Sequence, residues 1–202
     1  MKQSFISLRN IKTSVSDAVK LIRLAPKLPD HLHNLVIGCL LGDAGCYRTT
    51  KSLNSNSRLE FSFGQHRLQF AQWIMSQLSD YVQTGVKTLL VNSVKGGPAN
   101  NTSFRLKTVS LPVFNYYRDL FYHWDEVQGK YIKIIPHNIG DLLTPSVLAN
   151  FIMGDGNYQP AAKTVRIYTN GFKESDVELL ASAMSHKFGI SVTKRHDRKQ
   201  QY

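Results

Sequence analysis

Polar and apolar side chains alternate strictly over residues 58–63, which read RLEFSF. This two-residue period predicts a strand that buries one face and exposes the other. Residues 45–51, joined to it by a polar turn, supply an antiparallel partner. Residues 86–94 and 102–109 predict a second strand pair across a glycine-containing link. The first half of the chain therefore contains two strand pairs, each with one apolar and one polar face.

Helical periodicity separates and follows these strand pairs. Residues 67–82, 112–124 and 174–188 each place apolar side chains at three- and four-residue intervals. The apolar stripe of the first of these helices is expected to enter the core and consists of Phe70, Trp73, Ile74, Leu78 and Tyr81. With an apolar helix ahead of the first strand pair, the first half runs helix, strand pair, helix, strand pair, helix.

The second half begins in the same order and ends earlier. Its predicted elements are a helix at 144–155, strands near 157–160 and 164–170, the helix at 174–188 and a strand over 190–196. Val165 and Ile167 are expected to face the core. By its own repeat this half lacks a partner strand and a final helix. The predicted fold is α/β (α+β), with two pseudo-symmetric αββαββα halves of which the second is truncated at its C-terminus.

Two apolar helices carry the same ending, 112 residues apart. The first motif, residues 36–44, reads VIGCLLGDA, and the second, residues 148–156, reads LANFIMGDG. The second follows Thr144-Pro145, a hydroxyl cap with a proline at the first helical position. Each motif therefore predicts a helix that ends at an acid, Asp43 in the first and Asp155 in the second.

Short side chains recur four residues apart in both motifs, at Gly38 and Gly42 and at Asn150 and Gly154. Residues at this spacing share one helix face. Two helices with such faces can pack backbone to backbone. If they lie side by side and roughly parallel, the two acids meet at their C-terminal ends.

Two acids in that arrangement have a specific chemistry. Carboxylates at the negative ends of two helix dipoles repel each other, and divalent cations between them relieve the repulsion. Oxygen ligands with room for water and phosphate suit Mg²⁺, and cations shared by two acids can activate water and stabilise the leaving oxygen of a phosphodiester. A single Gly-Asp ending would indicate only the end of a helix. The interpretation as a divalent-cation site therefore depends on the presence of two copies of the motif.

Composition favours a nucleic-acid partner. The 202 residues carry a net charge of +11 with an isoelectric point near 9.7, which suggests a polyanion, and nucleic acid before membrane. No apolar run reaches the length of a transmembrane helix. Cys39 and Cys46 are the only cysteines and form neither a zinc pattern nor a disulfide framework. The seven histidines show no metal-ligand spacing.

The paired motifs resemble those of the LAGLIDADG homing endonucleases, specifically the single-chain type encoded in organellar introns. The resemblance continues in the KIIPHN segment from Lys133, in the LTP segment before the second motif, and in TNGF from Thr169. It covers roughly residues 33–202, with Ala44 in place of the glycine that often ends the first motif. It implies subdomains at 31–135 and 136–202. The basic arm at 1–30 is either a helical or extended arm or an organellar transit peptide.

The resemblance implies Mg²⁺-dependent, site-specific cleavage of both strands of a long DNA target, short 3′ overhangs and intron mobility. Mn²⁺ is expected to substitute for Mg²⁺, and Ca²⁺ to support binding without cleavage. Asp43 and Asp155 are the expected metal ligands by resemblance and by the chemistry above. Gly42, Ala44 and Gly154, which flank them, are assigned to the same metal site.

Two further residues are assigned catalytic roles by the resemblance. Lys133 stands where resembled enzymes place a lysine near the active site. There it would polarise the attacking water or stabilise charge on the phosphate; the alternative is a surface lysine on a turn. Glu60 occupies a strand position where family members often carry glutamine. An acid there could orient water, although it adds negative charge near phosphate.

The polar strand faces are the expected DNA-binding surface. The major groove admits a two-stranded ribbon, where Arg and Lys read guanine, Asn and Gln read adenine, and other side chains hold phosphates. The candidates in the first half are Tyr47, Arg48, Lys51, Arg58, Arg105 and Lys107. Those in the second half are Tyr158, Gln159, Arg166, Tyr168, Asn170, Lys194, His196 and Arg198.

Three rival functions remain open on the same fold. The chain could be an RNA maturase that assists splicing of its own intron, a DNA-binding regulator that does not cleave, or a folded but inert fragment. Retention of both acids argues against a pure maturase and against the regulator. The resemblance further implies a mitochondrial or other organellar location, no membrane partner, and a monomer if the missing C-terminal segment is supplied.

Overall fold

The computed structural model describes residues 15–50, 52, 54–91 and 101–195. Its helices are α1 (Val15–Arg23), α2 (Asp30–Leu41), α3 (Leu68–Gln77), α4 (Asn115–Phe121), α5 (Ile139–Leu142), α6 (Pro145–Asp155) and α7 (Glu174–Phe188). Its strands are β1 (Gly45–Arg48), β2 (Ser57–Gly64), β3 (Lys87–Val91), β4 (Asn101–Lys107), β5 (Tyr122–Asp125), β6 (Lys130–Lys133), β7 (Gly156–Gln159) and β8 (Thr164–Ile167). Short 3-10 turns lie at Gln65–Arg67, Ser79–Tyr81, Pro112–Phe114 and Pro160–Ala162.

Strands β1 to β4 form one antiparallel sheet in the order β1-β2-β4-β3. The alternation of β2 is confirmed, because its Leu59, Phe61 and Phe63 are buried while the intervening side chains are not. On β4, Phe104 and Leu106 are buried in the same way. This sheet therefore has one face in the core and one polar face, as the sequence predicts for the two strand pairs.

The two motif helices, α2 and α6, are packed against each other at the centre of the molecule. They share one continuous apolar core with the inner face of the sheet and with α7, which contributes Leu180 and Met184. The start of α6 follows the predicted signal, because the Oγ1 of Thr144 accepts a hydrogen bond from the amide of Val147 at 3.1 Å. Pro145 occupies the first helical turn, so the start of α6 is set by local sequence.

The helix predicted over 112–124 is wrong beyond residue 121. The chain leaves α4 at Phe121 and enters an antiparallel hairpin of β5 and β6, closed by a turn in which Gly129 has a φ of +58°. The amide of Ile134 donates to the carbonyl of Phe121 at 2.8 Å, which ties the end of the hairpin to its beginning. Pairing between the two strands takes the place of the last helical turn.

The second half departs from prediction at its strands. Strands β7 and β8 pair as expected, but Val165 is 48% exposed, so its predicted inward orientation is wrong. Residues 190–195 form no strand.

The first half differs from prediction at helix α3. Trp73 of the predicted core stripe is 39% exposed, and α3 ends at Gln77.

Helix α7 spans Glu174–Phe188, matching the predicted helix at both ends, and Gly189 terminates it with a φ of +64°. None of the described helices has the length and apolarity needed to cross a membrane.

Candidate active site

Helices α2 and α6 approach each other closely at a glycine. A side-chain carbon added to Gly38 would lie 2.6 Å from the Cβ of Asn150 and 2.6 Å from the carbonyl oxygen of Val147. Gly42 is equally close to the second acid, because a carbon added there would lie 2.7 Å from Oδ2 of Asp155. Gly154 has no such neighbour within 4 Å. The packing predicted for short side chains thus occurs at three of the four positions.

This packing brings the two acids together. Asp155 is the last residue of α6, and Asp43 lies two residues beyond the end of α2. Burial, the charge of Asp43 and a hydrogen bond shared with Asp43 together raise the pKa of Asp155 to about 7, although Lys133 and Arg67 act in the opposite direction. The carboxylates therefore repel each other at the negative ends of two helices, as the motif repeat predicts.

Lys133, the last residue of β6, reaches the same place. Its Nζ donates to the carbonyl oxygens of Gly42 at 2.7 Å and of Ala44 at 2.9 Å. These carbonyls flank Asp43 and include groups that the end of α2 leaves without helical partners. Burial lowers the pKa of Lys133 to about 8, while Asp155 and Asp43 favour its charged form. The side chain lies beside the two motif acids rather than on a surface turn.

The unpredicted hairpin of β5 and β6 positions this lysine. Tyr122 pairs directly with Lys133 across the hairpin, and its hydroxyl accepts a hydrogen bond from the amide of Cys46 on β1 at 3.0 Å. The guanidinium carbon of Arg118 lies 4.0 Å from the ring centroid of Tyr122 and 4.2 Å from that of Tyr131. The hairpin is thereby attached to the large sheet beside the first motif.

Arg67 is a site residue that sequence reasoning missed. Its Nη1 donates to the carbonyl of Met153 near the end of α6, and its charge lowers the pKa of Asp155. It lines a cavity of about 40 Å³ together with Asp43, Ser62 and Gly154. Lys133 and Arg67 therefore each bind main-chain oxygen at the end of one motif helix. No sequence signal connects an arginine before α3 with a helix in the other half.

The donor set at this site consists of oxygen atoms. Two carboxylates lie together near the ends of α2 and α6, and the described residues contain no cluster of three or more His, Cys, Asp and Glu side chains. Besides burial, repulsion from Asp43 raises the pKa of Asp155, and a bound cation would relieve that repulsion. This donor set suits a hard divalent cation whose remaining ligands come from solvent and phosphate.

Glu60 lies on the polar face of the large sheet, with its backbone paired to Gly45 and to Lys107. Its carboxylate is bound by Arg58 and Lys107. Burial raises the pKa of Glu60, but hydrogen bonds from Lys107 and Arg58 outweigh burial and leave the pKa below its ordinary value. Its assignment to catalysis stays a prediction.

Two other DNA-binding candidates of the first half lie on strands of the same sheet. Tyr47 is 50% exposed on β1, and Arg105 pairs with Ser62 and Lys87. Arg48 instead bonds to Asp119 of α4 at 3.1 Å. Lys51 lies outside the described residues.

In the second half the candidates do not share one face. The register places Arg166 opposite Asn157 and Tyr158 opposite Val165, so Arg166 and Tyr158 project to opposite sides of the hairpin. Lys194 is bound to Glu174 and Glu178 of α7, which raises its pKa. The remaining described candidates, Gln159, Tyr168 and Asn170, are at least partly exposed. His196 and Arg198 lie outside the described residues.

Two known proteins resemble most of this chain in sequence. The chain is 26% identical over 191 residues to the cytochrome b mRNA maturase bI2 of Debaryomyces hansenii, covering 91% of this chain and 68% of that protein. It is 25% identical over 166 residues to the DNA endonuclease I-ChuI of Chlamydomonas applanata, covering 79% of this chain and 74% of that protein.

A similar fold occurs in a solved structure of the homing endonuclease I-WcaI bound to its DNA recognition sequence. The TM-score is 0.74 at 19% identity, with 96% of this chain and 82% of that chain covered. Residues 33–202, which contain both motifs, match the profile of the LAGLIDADG DNA endonuclease family. The chain belongs to the LAGLIDADG DNA endonuclease family.

Proposed function

We propose that this chain is a site-specific endonuclease that hydrolyses both strands of a double-stranded DNA target with Mg²⁺. The observation that carries the proposal is the meeting of Asp43 and Asp155 at the ends of two packed helices, beside a sheet with a polar, cation-rich face. Two neighbouring carboxylates that repel each other do little to stabilise the fold of a basic protein. They are suited to a cation that bridges protein and phosphate.

Asp43 and Asp155 would hold Mg²⁺, with main-chain oxygens at Gly42, Ala44 and Gly154 nearby. When bound, the ion would supply Lewis acidity and lower the pKa of coordinated water. Mn²⁺ is expected to replace it in cleavage, and Ca²⁺ to support binding alone. Lys133 holds the turn that carries Asp43, through its bonds to Gly42 and Ala44, and places a positive charge where phosphate charge develops.

The DNA would lie across the polar faces of the two halves, which we place at 31–135 and 136–202. On β2 and β4 these faces carry Arg58, Arg105 and Lys107, and the net charge of +11 favours the phosphate backbone. The relatives named for cytochrome b mRNA support an organellar location, which we propose as mitochondrial. We expect the active protein to be a monomer.

The test is cleavage of a duplex that spans the uninterrupted host-gene junction, in Mg²⁺ and separately in Ca²⁺. Asp43→Asn and Asp155→Asn serve as variants, and Asp141→Asn, an exposed acid on α5, is the matched control. Cutting in Mg²⁺ only, lost or reduced to nicking in either site variant and kept in the control, is the expected result. Tight binding without cutting in Mg²⁺ or Mn²⁺ would contradict the endonuclease.

The second candidate function is splicing assistance to an intron RNA. It is favoured by the resemblance to the cytochrome b mRNA maturase bI2 over 91% of the chain. The measurement is self-splicing of the host intron RNA with and without the protein. Asp43→Asn separates the two functions, since a substitution in the cleavage site should leave RNA binding unchanged. Acceleration of splicing by both forms would support a maturase role.

A further inference from the structure

The polar face of the large sheet contains an acid held between two cations. Oε1 of Glu60 accepts from Nε of Arg58 at 2.8 Å and lies 2.7 Å from its Nη2. Oε2 of the same carboxylate lies 3.0 Å from Nζ of Lys107 on the neighbouring strand. The three side chains keep 22%, 35% and 44% of their surface exposed for Glu60, Arg58 and Lys107, respectively. We call this group the Glu60 cluster.

The contacts within the Glu60 cluster leave specific hydrogen-bond acceptor and donor sites unused. A carboxylate has about four acceptor sites, and two donors at Oε1 and one at Oε2 fill three of them. Lys107 keeps two further N–H donors, and Arg58 keeps donors of its own. A surface approaching the sheet therefore meets one oriented acceptor, at Oε2, with donors beside it.

The cluster lies on the part of the sheet that faces the proposed target. Glu60 pairs with Lys107, and two residues further along β2, Ser62 pairs with Arg105, which pairs with Lys87 on β3. Ser62 also lines the cavity beside Asp43. We call each set of residues paired across neighbouring strands a row. Two rows that are two residues apart are separated by about 6.6 Å along a strand, which is close to two base steps of about 3.4 Å. On a duplex aligned with the strands, the Glu60 row and the Ser62 row would meet different base pairs.

The major groove presents two kinds of group to such an acceptor. Cytosine N4 and adenine N6 are amino donors, whereas guanine O6 and thymine O4 are carbonyl acceptors. A fixed carboxylate oxygen accepts from the first kind and repels the second. It also repels phosphate, so Glu60 is poorly placed as a backbone contact, and its two cations hold the carboxylate rather than leaving it to rotate.

We propose that Glu60 is a specificity-determining residue that selects an amino-bearing base, cytosine or adenine, at one position of the target. This inference rests on the proposed function, because it requires duplex DNA on the polar face of the sheet. Arg58 and Lys107 act as positioning residues that fix the carboxylate. The row of Ser62, Arg105 and Lys87 contains no acid and would not impose the same choice.

The experiment is binding-site selection from a randomised duplex library in Ca²⁺, so that it does not depend on cleavage. Wild type is compared with Glu60→Gln, which keeps the shape of the side chain and can either accept or donate. Glu126→Gln, at an exposed position in the turn between β5 and β6, removes the same charge elsewhere. Melting temperatures of the three proteins establish that each is folded.

The expected result is one position at which wild type and Glu126→Gln enrich cytosine or adenine by at least about tenfold, while Glu60→Gln shows no preference. Which of the two bases is enriched identifies the amino group. An unchanged profile in Glu60→Gln overturns the inference and leaves the endonuclease proposal standing. A profile that is unchanged while the cleavage rate on the selected site falls assigns Glu60 to catalysis instead. A wild-type protein that selects no sequence overturns both proposals.

Discussion

The α-carbon of Gly38 lies against Asn150, so close that an added side-chain carbon would be 2.6 Å from the Asn150 Cβ. The carbonyl of Val147 is equally near the same point, and a backbone atom cannot turn aside as a flexible side chain can. The distance between α2 and α6 is therefore set by the absence of a side chain at this position. The same distance determines how close Asp43 comes to Asp155.

Gly38→Ala should separate the two motif helices. We expect a loss of about 1–3 kcal/mol in the free energy of unfolding, the usual cost of overpacking a core, together with loss of DNA cleavage as the acids move apart. Urea unfolding followed by circular dichroism measures the first. Gly154→Ala is the matched control for stability, because its added carbon meets no atom within 4 Å outside the adjoining residues and backbone of its own helix, and alanine favours a helix by about 0.5–1 kcal/mol. Equal stability of the two variants would contradict this account.

The elements that the sequence predicts correctly are those whose signal is local. Helix α6 is marked by Thr144 and Pro145 at its start, α7 by an amphipathic pattern that ends at Gly189, and β2 by strict alternation. The meeting of the two acids could also be predicted, because repetition of a motif implies a repeated environment. Apart from the motif repeat, these signals lie within one or two turns of the residues that they fix.

The parts that could not be predicted depend on remote partners. Tyr122 leaves the helical pattern of α4 for a strand whose anchor is the amide of Cys46, far away along the chain. Arg67 acts on a carbonyl at the end of α6, in the other half. Val165 is exposed although its alternation is that of a buried strand. Periodicity identifies the apolar face of an element and does not say whether another layer covers it.

Lys133→Met should impair cleavage more than folding. The substitution leaves the carbonyls of Gly42 and Ala44 without their donor, so the turn that carries Asp43 loses its support, and a positive charge leaves the site. We expect single-turnover cleavage to fall by roughly 100-fold or more. Lys130→Met, an exposed position on the same strand β6, is the control. A comparable loss of cleavage in both variants would show that cleavage depends on the hairpin as a whole rather than on the Lys133 side chain.

The metal-free protein should lose stability as pH rises from about 4 to about 7. The folded-state pKa of Asp155 is raised from 3.8 to about 7 by burial and by Asp43, so the folded protein keeps a proton that the unfolded chain releases. The contribution is full below pH 3.8 and is lost as pH rises through 7. Asp155→Asn should flatten this dependence and stabilise the metal-free protein at pH 8 by about 1–2 kcal/mol.

Calcium separates this prediction from a general effect of charge. At pH 8, added Ca²⁺ should raise the melting temperature of wild type, because the cation replaces the lost proton between the two acids, and should have little effect on Asp155→Asn. Asp141→Asn, which removes an exposed acid, should respond to Ca²⁺ as wild type does. The same pH profile in wild type and Asp155→Asn would show that other groups control stability in this range.

Tyr122→Phe tests whether the hairpin of β5 and β6 positions Lys133. The substitution removes the acceptor of the Cys46 amide and leaves a buried donor unpaired, at a cost of about 1–3 kcal/mol in the free energy of unfolding. Because Tyr122 pairs directly with Lys133, we also expect a lower single-turnover cleavage rate under conditions in which the variant is fully folded. Tyr131→Phe keeps the ring beside Arg118 and should retain both stability and rate. If Tyr122→Phe is less stable but cuts at the wild-type rate, Lys133 is held by its own bonds to Gly42 and Ala44 and does not need the hairpin.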